Sequence, residues 1–378
     1  MADDLYAVVQ RHMRQRGVSL RALARAVHHV ASYLSKVLRG IKPLGPALAS
    51  DIDRALGADG EITAACLQPA PAPREMLVAP ELVDYFRQQL AGHYAADRFL
   101  GPGRLIAVAS AQYDLLCDIA GTASGPLRGE LWATAAGFAA LLGWLHQDAG
   151  NLTESARWHD VMIERAHRSH DPQLVGFALY CKAMLRTDMA DGASVLDLTG
   201  AGLRDDHRLV PKVRALLLQQ AAQGHALAGL PGAHGACDRL LCDADDLTAQ
   251  ISDDYPWGTC AAPHWIDTQR ATVWTRLGRF HEASSLWEQA IPALPASSRR
   301  DIGVYHARHA QALAGCGEPE QAVAVARLAA PVAAQSGSAR MRAELHALRQ
   351  RMEPWRGGQP WRDLDDTLRA LPRAGKAS

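Results

Sequence analysis

The stretch Ser19–Lys42 reads SLRALARAVHHVASYLSKVLRGIK. Leu23, Ala24 and Val27 fall on one helix face, and Leu34, Val37 and Leu38 fall on a second. His28, His29 and Val30 break the pattern between them. Two short amphipathic helices at this spacing pack across each other and leave the outer face of the second one open. That face carries Ala31, Ser32, Ser35, Lys36 and Arg39, all short or basic.

Short and basic residues suit a helix lying against DNA. The major groove admits one helix between walls of phosphate. Ser32, Ser35 and Lys36 can hydrogen-bond to base edges, while Arg39 and Lys42 reach phosphates. The exposed N–H groups of a helix capped by Ser19 can also hold a phosphate. Charge points the same way. From Arg11 to Lys42 there are eight Lys/Arg and no Asp or Glu, in a chain of formal net charge +0. Residues 1–66 hold nine basic and six acidic residues, leaving 31 and 34 beyond. A basic head on a slightly acidic body is the balance of a nucleic-acid module joined to a larger part.

These residues resemble the helix-turn-helix of the Cro/CI-type (XRE) repressor family. The resemblance rests on Ser19, Leu23-Ala24, Val27, Ser32, Leu34-Ser35-Lys36-Val37, Arg39-Gly40 and Lys42-Pro43. Leu48, Ile52 and Ala55-Leu56 extend it into the following helix. One departure is His28, where the family usually has a turn glycine in the left-handed conformation. The resemblance implies DNA contacts from Ser19, Arg21, Ala31, Ser32, Tyr33, Ser35, Lys36, Arg39 and Lys42.

Outward from this stretch the chain reads as helix throughout. A first helix runs from a cap at Asp3 or Asp4 to about Arg16 and ends at Gly17. A fourth spans Pro46 to Leu56, and a short fifth spans Glu61 to Leu67, completing a five-helix bundle over residues 1–67. QPAPAPR, Gln68 to Arg74, is a semi-rigid spacer within a linker over 68–80. Residues 81–378 carry no strand signal: aromatics are 6% and alternating β-branched runs are absent.

This body holds a loose internal repeat. Between Pro263 and Pro295, Trp274, Gly278, Phe280, Ala283, Trp287, Ala290 and Pro295 reproduce the later part of the 34-residue tetratricopeptide pattern. Weaker copies hold Leu142, Gly143, Gly150, Leu152 and Trp158, then Gly317, Ala322 and Ala329, with a distorted one around Gly229. Further helix pairs are expected near Leu105–Ile119 and Pro172–Leu203, and a closing helix over Trp361–Leu371. The expected fold class is therefore all-α: a helix-turn-helix bundle, then a right-handed α-solenoid with a concave face. The repeat register puts Trp144, Gln147, Gln219, Gln220, Gln223, Trp265, Gln269, Arg276, Arg308 and Gln311 on that face. Amides can hydrogen-bond a peptide backbone and Arg can hold a carboxylate. Joined to an XRE-type head, such a body is similar to repeat-containing quorum-sensing regulators. That resemblance implies a peptide or small-molecule signal.

Several functions lack their residues. There is no GxxxxGK[ST] and no HExxH, and the GPG at Gly101–Gly103 is a lone turn. His234, Cys237 and Cys242, or Cys260 and His264, lack the paired spacing of a structural zinc site. No metal, cofactor or enzymatic activity is expected. Seven scattered cysteines suggest reduced thiols in a cytoplasmic protein. No apolar run approaches the roughly 20 residues of a membrane helix, and the first residues do not read as a signal peptide. The function expected is a DNA-binding transcriptional regulator acting as a homodimer on a palindromic operator. The alternative is an interaction scaffold whose repeats bind a partner protein.

Overall fold

The computed structural model describes residues 5–38, 44–67, 79–251, 256–258 and 264–371. The expected cap at Asp3 or Asp4, Arg39, Gly40, Lys42 and Pro43, the spacer over 68–74, and Cys260 and Pro263 lie outside them. Among the described residues there is helix and no strand. The chain divides into two compact units, Met1–Met76 and Leu77–Ser378.

The first unit holds α1 (Leu5–Arg16), α2 (Leu20–Ala26), α3 (Ala31–Leu38), α4 (Pro46–Leu56) and α5 (Glu61–Leu67). Local chemistry sets the ends. Gly17 adopts φ +62 after α1, and the Ser19 hydroxyl accepts from the Ala22 amide at 3.3 Å to cap α2. Pro46 opens α4 and Gly57 closes it in the left-handed conformation. Val8, Val9, Leu23, Leu34, Val37, Ile52, Leu56 and Ile62 from all five helices form one core. Burying each such side chain contributes about 1.5–3 kcal/mol.

The second unit holds α6 (Pro80–Leu100), α7 (Pro102–Thr122), α8 (Pro126–Asp148), α9 (Leu152–Ser169), α10 (Pro172–Asp188), α11 (Gly192–Gly202) and α12 (Pro211–Ala228). It continues through α13 (Ala233–Thr248), α14 (Trp265–Arg276), α15 (Phe280–Ala293), α16 (Arg299–Gly315), α17 (Pro319–Ser336), α18 (Ala339–Arg351) and α19 (Gln359–Arg369). Proline starts six of these helices, where its missing N–H has no partner to lose. Consecutive helices pack on each other, and most connections are short enough to favour antiparallel hairpins, whereas α13 and α14 are separated by residues 249–264. Gly278, at φ +79, turns α14 into α15, and Ala283, Trp287 and Ala290 are fully buried where the helices meet. Ala322 and Ala329 are buried likewise on α17.

The helix pair expected near Leu105–Ile119 is a single helix, α7, which packs on α8 and, less extensively, on α6. No residue inside that stretch stops a helix; the break is at Gly101, φ +71, before Pro102.

The even-numbered helices form one row in which α6, α8, α10, α12, α14, α16 and α18 follow one another. The row comes back to its start: α18 packs against α8, and Arg300 of α16 bonds to Asp97 of α6. The odd-numbered helices pack on this row from the other side. The apolar core is correspondingly segmented, with separate clusters around α6–α10, α12–α14, α14–α16 and α16–α19.

Candidate nucleic-acid interface and polar belt

In the first unit α2 packs on α3 through Leu23, Ala24 and Val27 against Leu34, Val37 and Leu38. His28 sits between them at φ 54, and its amide bonds to the Arg25 carbonyl. A non-glycine residue holds this conformation only against a steric cost, which the surrounding packing offsets. Ser32 and Lys36 are exposed on α3, Ala31, Tyr33 and Ser35 are half-buried, and Ser19 and Arg21 are exposed on the approach to α2. Ala31 and Tyr33 also pack against the core, and the Tyr33 ring stacks on His29 at 5.3 Å between centroids. The basic residues divide. Arg11 pairs with Glu61, and Arg16 donates to the Gly57 carbonyl at 2.9 Å. Arg21, Arg25 and Lys36 make no ion pair among the described residues, so their charge remains available around α2 and α3.

The second unit brings the other predicted residues onto neighbouring helices of the even row, where a continuous polar belt links them. Gln147 donates to Asp188 at 2.6 Å, joining α8 to α10. Gln220 bonds to Thr187 and also accepts from Gln219 at 3.1 Å, joining α12 to α10. Arg276 donates to Gln223, joining α14 to α12. Arg308 donates to Thr272 at 3.2 Å and to Glu344 at 2.7 Å, joining α16 to α14 and α18. Gln311 donates to Glu344 at 2.8 Å. Gln269 lies beside the belt and donates to Thr268 at 3.2 Å. Trp144 donates to Asp97 at 3.0 Å and faces Arg340 at 4.7 Å. The Trp265 ring packs between two apolar clusters.

Three contacts complete the circuit. Ser338, the N-cap of α18, donates to Asp148 at 2.6 Å, and Arg300 pairs with Asp148 and with Asp97. Sequence reasoning missed Asp97, Asp148, Asp188, Arg300, Ser338 and Glu344. A signal existed for two of them. Asp148 and Asp188 are the last residues of α8 and α10, where the helix dipole disfavours a carboxylate that has no cation elsewhere.

The belt is not fully satisfied within itself. Among the described residues, the buried Oε1 atoms of Gln147 and Gln219 accept no hydrogen bond. Arg276 makes no ion pair among the described residues, and burial, then the nearby Arg308 charge, push its pKa down to about 10. Burial alone would raise the Glu344 carboxyl, but Arg308 and Arg276 hold it below its usual range.

No group of three or more His, Cys, Asp or Glu among the described residues is arranged to hold a metal ion. Cys237 is buried and its thiol is pushed up to about 11 by burial, while Cys242 is exposed. Among the described residues no helix is long and apolar enough to cross a membrane. Compared with known proteins, the chain matches no family model, no curated protein and no solved structure.

Proposed function

We propose that the protein is a sequence-specific DNA-binding transcriptional regulator of the helix-turn-helix kind, acting in the cytoplasm as a homodimer. The observation that carries this reading is the α2–α3 pair. Its left-handed turn at His28 and its exposed Ser32 and Lys36 sit among unpaired basic residues. In this reading α3 enters the major groove, Ser32, Ser35 and Lys36 meet base edges, and Ser19, Arg21, Arg39 and Lys42 meet phosphates. The hairpins of the second unit form a right-handed tetratricopeptide-like solenoid. Its belt receives a peptide or small molecule through Arg276 and the free glutamine acceptors. A ligand that favours one arrangement of the dimer over another shifts operator affinity by its difference in affinity for the two.

Genome-wide mapping of bound sites supplies the operator, and fluorescence anisotropy on it tests the contacts. Lys36→Ala is expected to weaken operator binding by about tenfold or more and to relax specificity at one position. Arg39→Ala is expected to weaken binding to all sequences alike and to lower the salt slope by about one. Unchanged affinity in both variants, with no salt-dependent binding to random DNA, would move the reading to a scaffold that binds a partner protein.

A further inference from the structure

We infer that the outward face of α7 is a self-complementary interface that seats the α7 of a second copy of this chain, antiparallel, with Ala111 on the two-fold axis. Six of the ten exposed large apolar side chains among the described residues lie on α6 and α7, between Tyr85 and Leu115. These helices begin the stack: α7 packs on α8 and α6, and the face turned away from both stays exposed. Its open face carries Ala107, Val108, Ala111 and Leu115, with Val108 44% and Leu115 53% exposed.

The occupant follows from the order of residues along that face. Successive helix residues are about 100° apart, so positions three, four and seven away from Ala111 share its face. Arg104 and Asp118 lie seven residues on either side of Ala111, Ala107 and Leu115 four, Val108 and Asp114 three. Rotating a second α7 by a half-turn about Ala111 therefore brings Arg104 of each copy to Asp118 of the other. The same rotation sets each Leu115 over an Ala107. Small residues at the centre let two helix axes approach to about 8–10 Å. Arg104 and Asp118 have no ion-pair partner within the chain among the described residues. A face whose residue i meets j while j meets i is what a two-fold dimer requires. A foreign helix would have no reason to match this symmetry.

This inference gives a surface to the dimerisation step of the proposed function and rests only on that step, not on DNA binding. Sedimentation equilibrium at micromolar concentration tests it on the full chain. The wild-type protein is expected to be a dimer. Ala111→Glu is expected to be a monomer of unchanged far-UV helicity, since the position is exposed. Arg104→Glu and Asp118→Arg are each expected to raise the dimer dissociation constant about tenfold, through two symmetric pairs. The double reversal is expected to restore it. A wild-type monomer, or single reversals without effect, or a double variant as weak as the singles, would overturn the interface. Anisotropy on random DNA, measured in parallel, reports the α3 reading separately. A chain that dimerises despite all three variants leaves the regulator reading in place and removes α7 from it.

Discussion

At the scale of single residues, Asp53 is the clearest example of chemistry the sequence concealed. It looks like a surface acid of α4, yet it is only 7% exposed. Its carboxylate accepts from the amides of Gly60, Ile62 and Thr63 at 2.9, 2.8 and 3.0 Å, so it caps α5 from another helix. Burial raises its pKa, but the three amides outweigh burial and hold it below the ordinary value of 3.8. The unfolded chain therefore takes up a proton at higher pH than the folded one. The cap's contribution is fully present above 3.8 and is lost as pH falls through that value toward the folded pKa. Asp53→Ala is expected to destabilise the first unit by about 1–2 kcal/mol at neutral pH and to flatten its stability below pH ~4. Urea unfolding followed by hydrogen exchange of α5 amides at several pH values would read both effects. Caps supplied from adjacent positions, such as Ser19 on α2, were legible; one reaching back seven to ten residues has no sequence pattern. His28 was legible as a turn residue because it interrupts the apolar spacing of the two helices, and it adopts φ 54.

At the scale of helices, legibility followed the local stop signals. Gly17, Pro46 and Gly278 mark boundaries because each acts on its own backbone. Residues 105–119 contain no such signal, so the repeat period alone split α7 incorrectly. Glycines inside helices carry a different kind of information, since their neighbours are distant in sequence. A Cβ at Gly143 of α8 would lie 2.5 Å from Nε2 of His159 on α9, a buried ring whose nitrogens have no partner among the described residues. Burial pushes the pKa of His159 down to about 4, so the ring is neutral at pH 7 and packs as an apolar plate. Gly92 of α6, by contrast, has nothing within 4 Å of that position. Alanine gains about 1 kcal/mol over glycine in helix propensity, whereas overpacking costs about 1–3 kcal/mol. Gly92→Ala is thus expected to stabilise the second unit by up to ~1 kcal/mol. Gly143→Ala is expected to destabilise it by about 1–2 kcal/mol. Thermal unfolding of the two variants should shift in opposite directions; a shift of the same sign would show that the α8–α9 contact yields.

At the scale of the whole second unit, the feature no local reading could supply is that the row of even helices meets its own beginning. Hydrophobic periodicity reports which face of a helix is buried, not which distant helix covers it. Arg300 and Asp97 are separated by 203 residues and Arg300 and Asp148 by 152. Asp148 is fully buried and Arg300 is 11% exposed, so the pair is far from water. Removing one partner from such a pair costs about 3–5 kcal/mol, because the other is left charged and unpaired. Removing both leaves a cavity and an Asp97 carboxylate that Trp144 still bonds, which costs less than the two single removals together. Arg300→Ala is therefore expected to destabilise the second unit by about 3 kcal/mol or more, and the Arg300→Ala, Asp148→Ala double variant by less than the sum of its parts. All nine tryptophans lie at or beyond Trp132, so tryptophan fluorescence in urea reports this unit without signal from the first. Additive effects of the two substitutions would mean that the closing contact is not coupled. Strong coupling would mean that the belt between α8 and α18 is held at both ends. A ligand meeting Arg276 and the free acceptors of Gln147 and Gln219 would then act on a closed circuit, in which moving one helix moves the next.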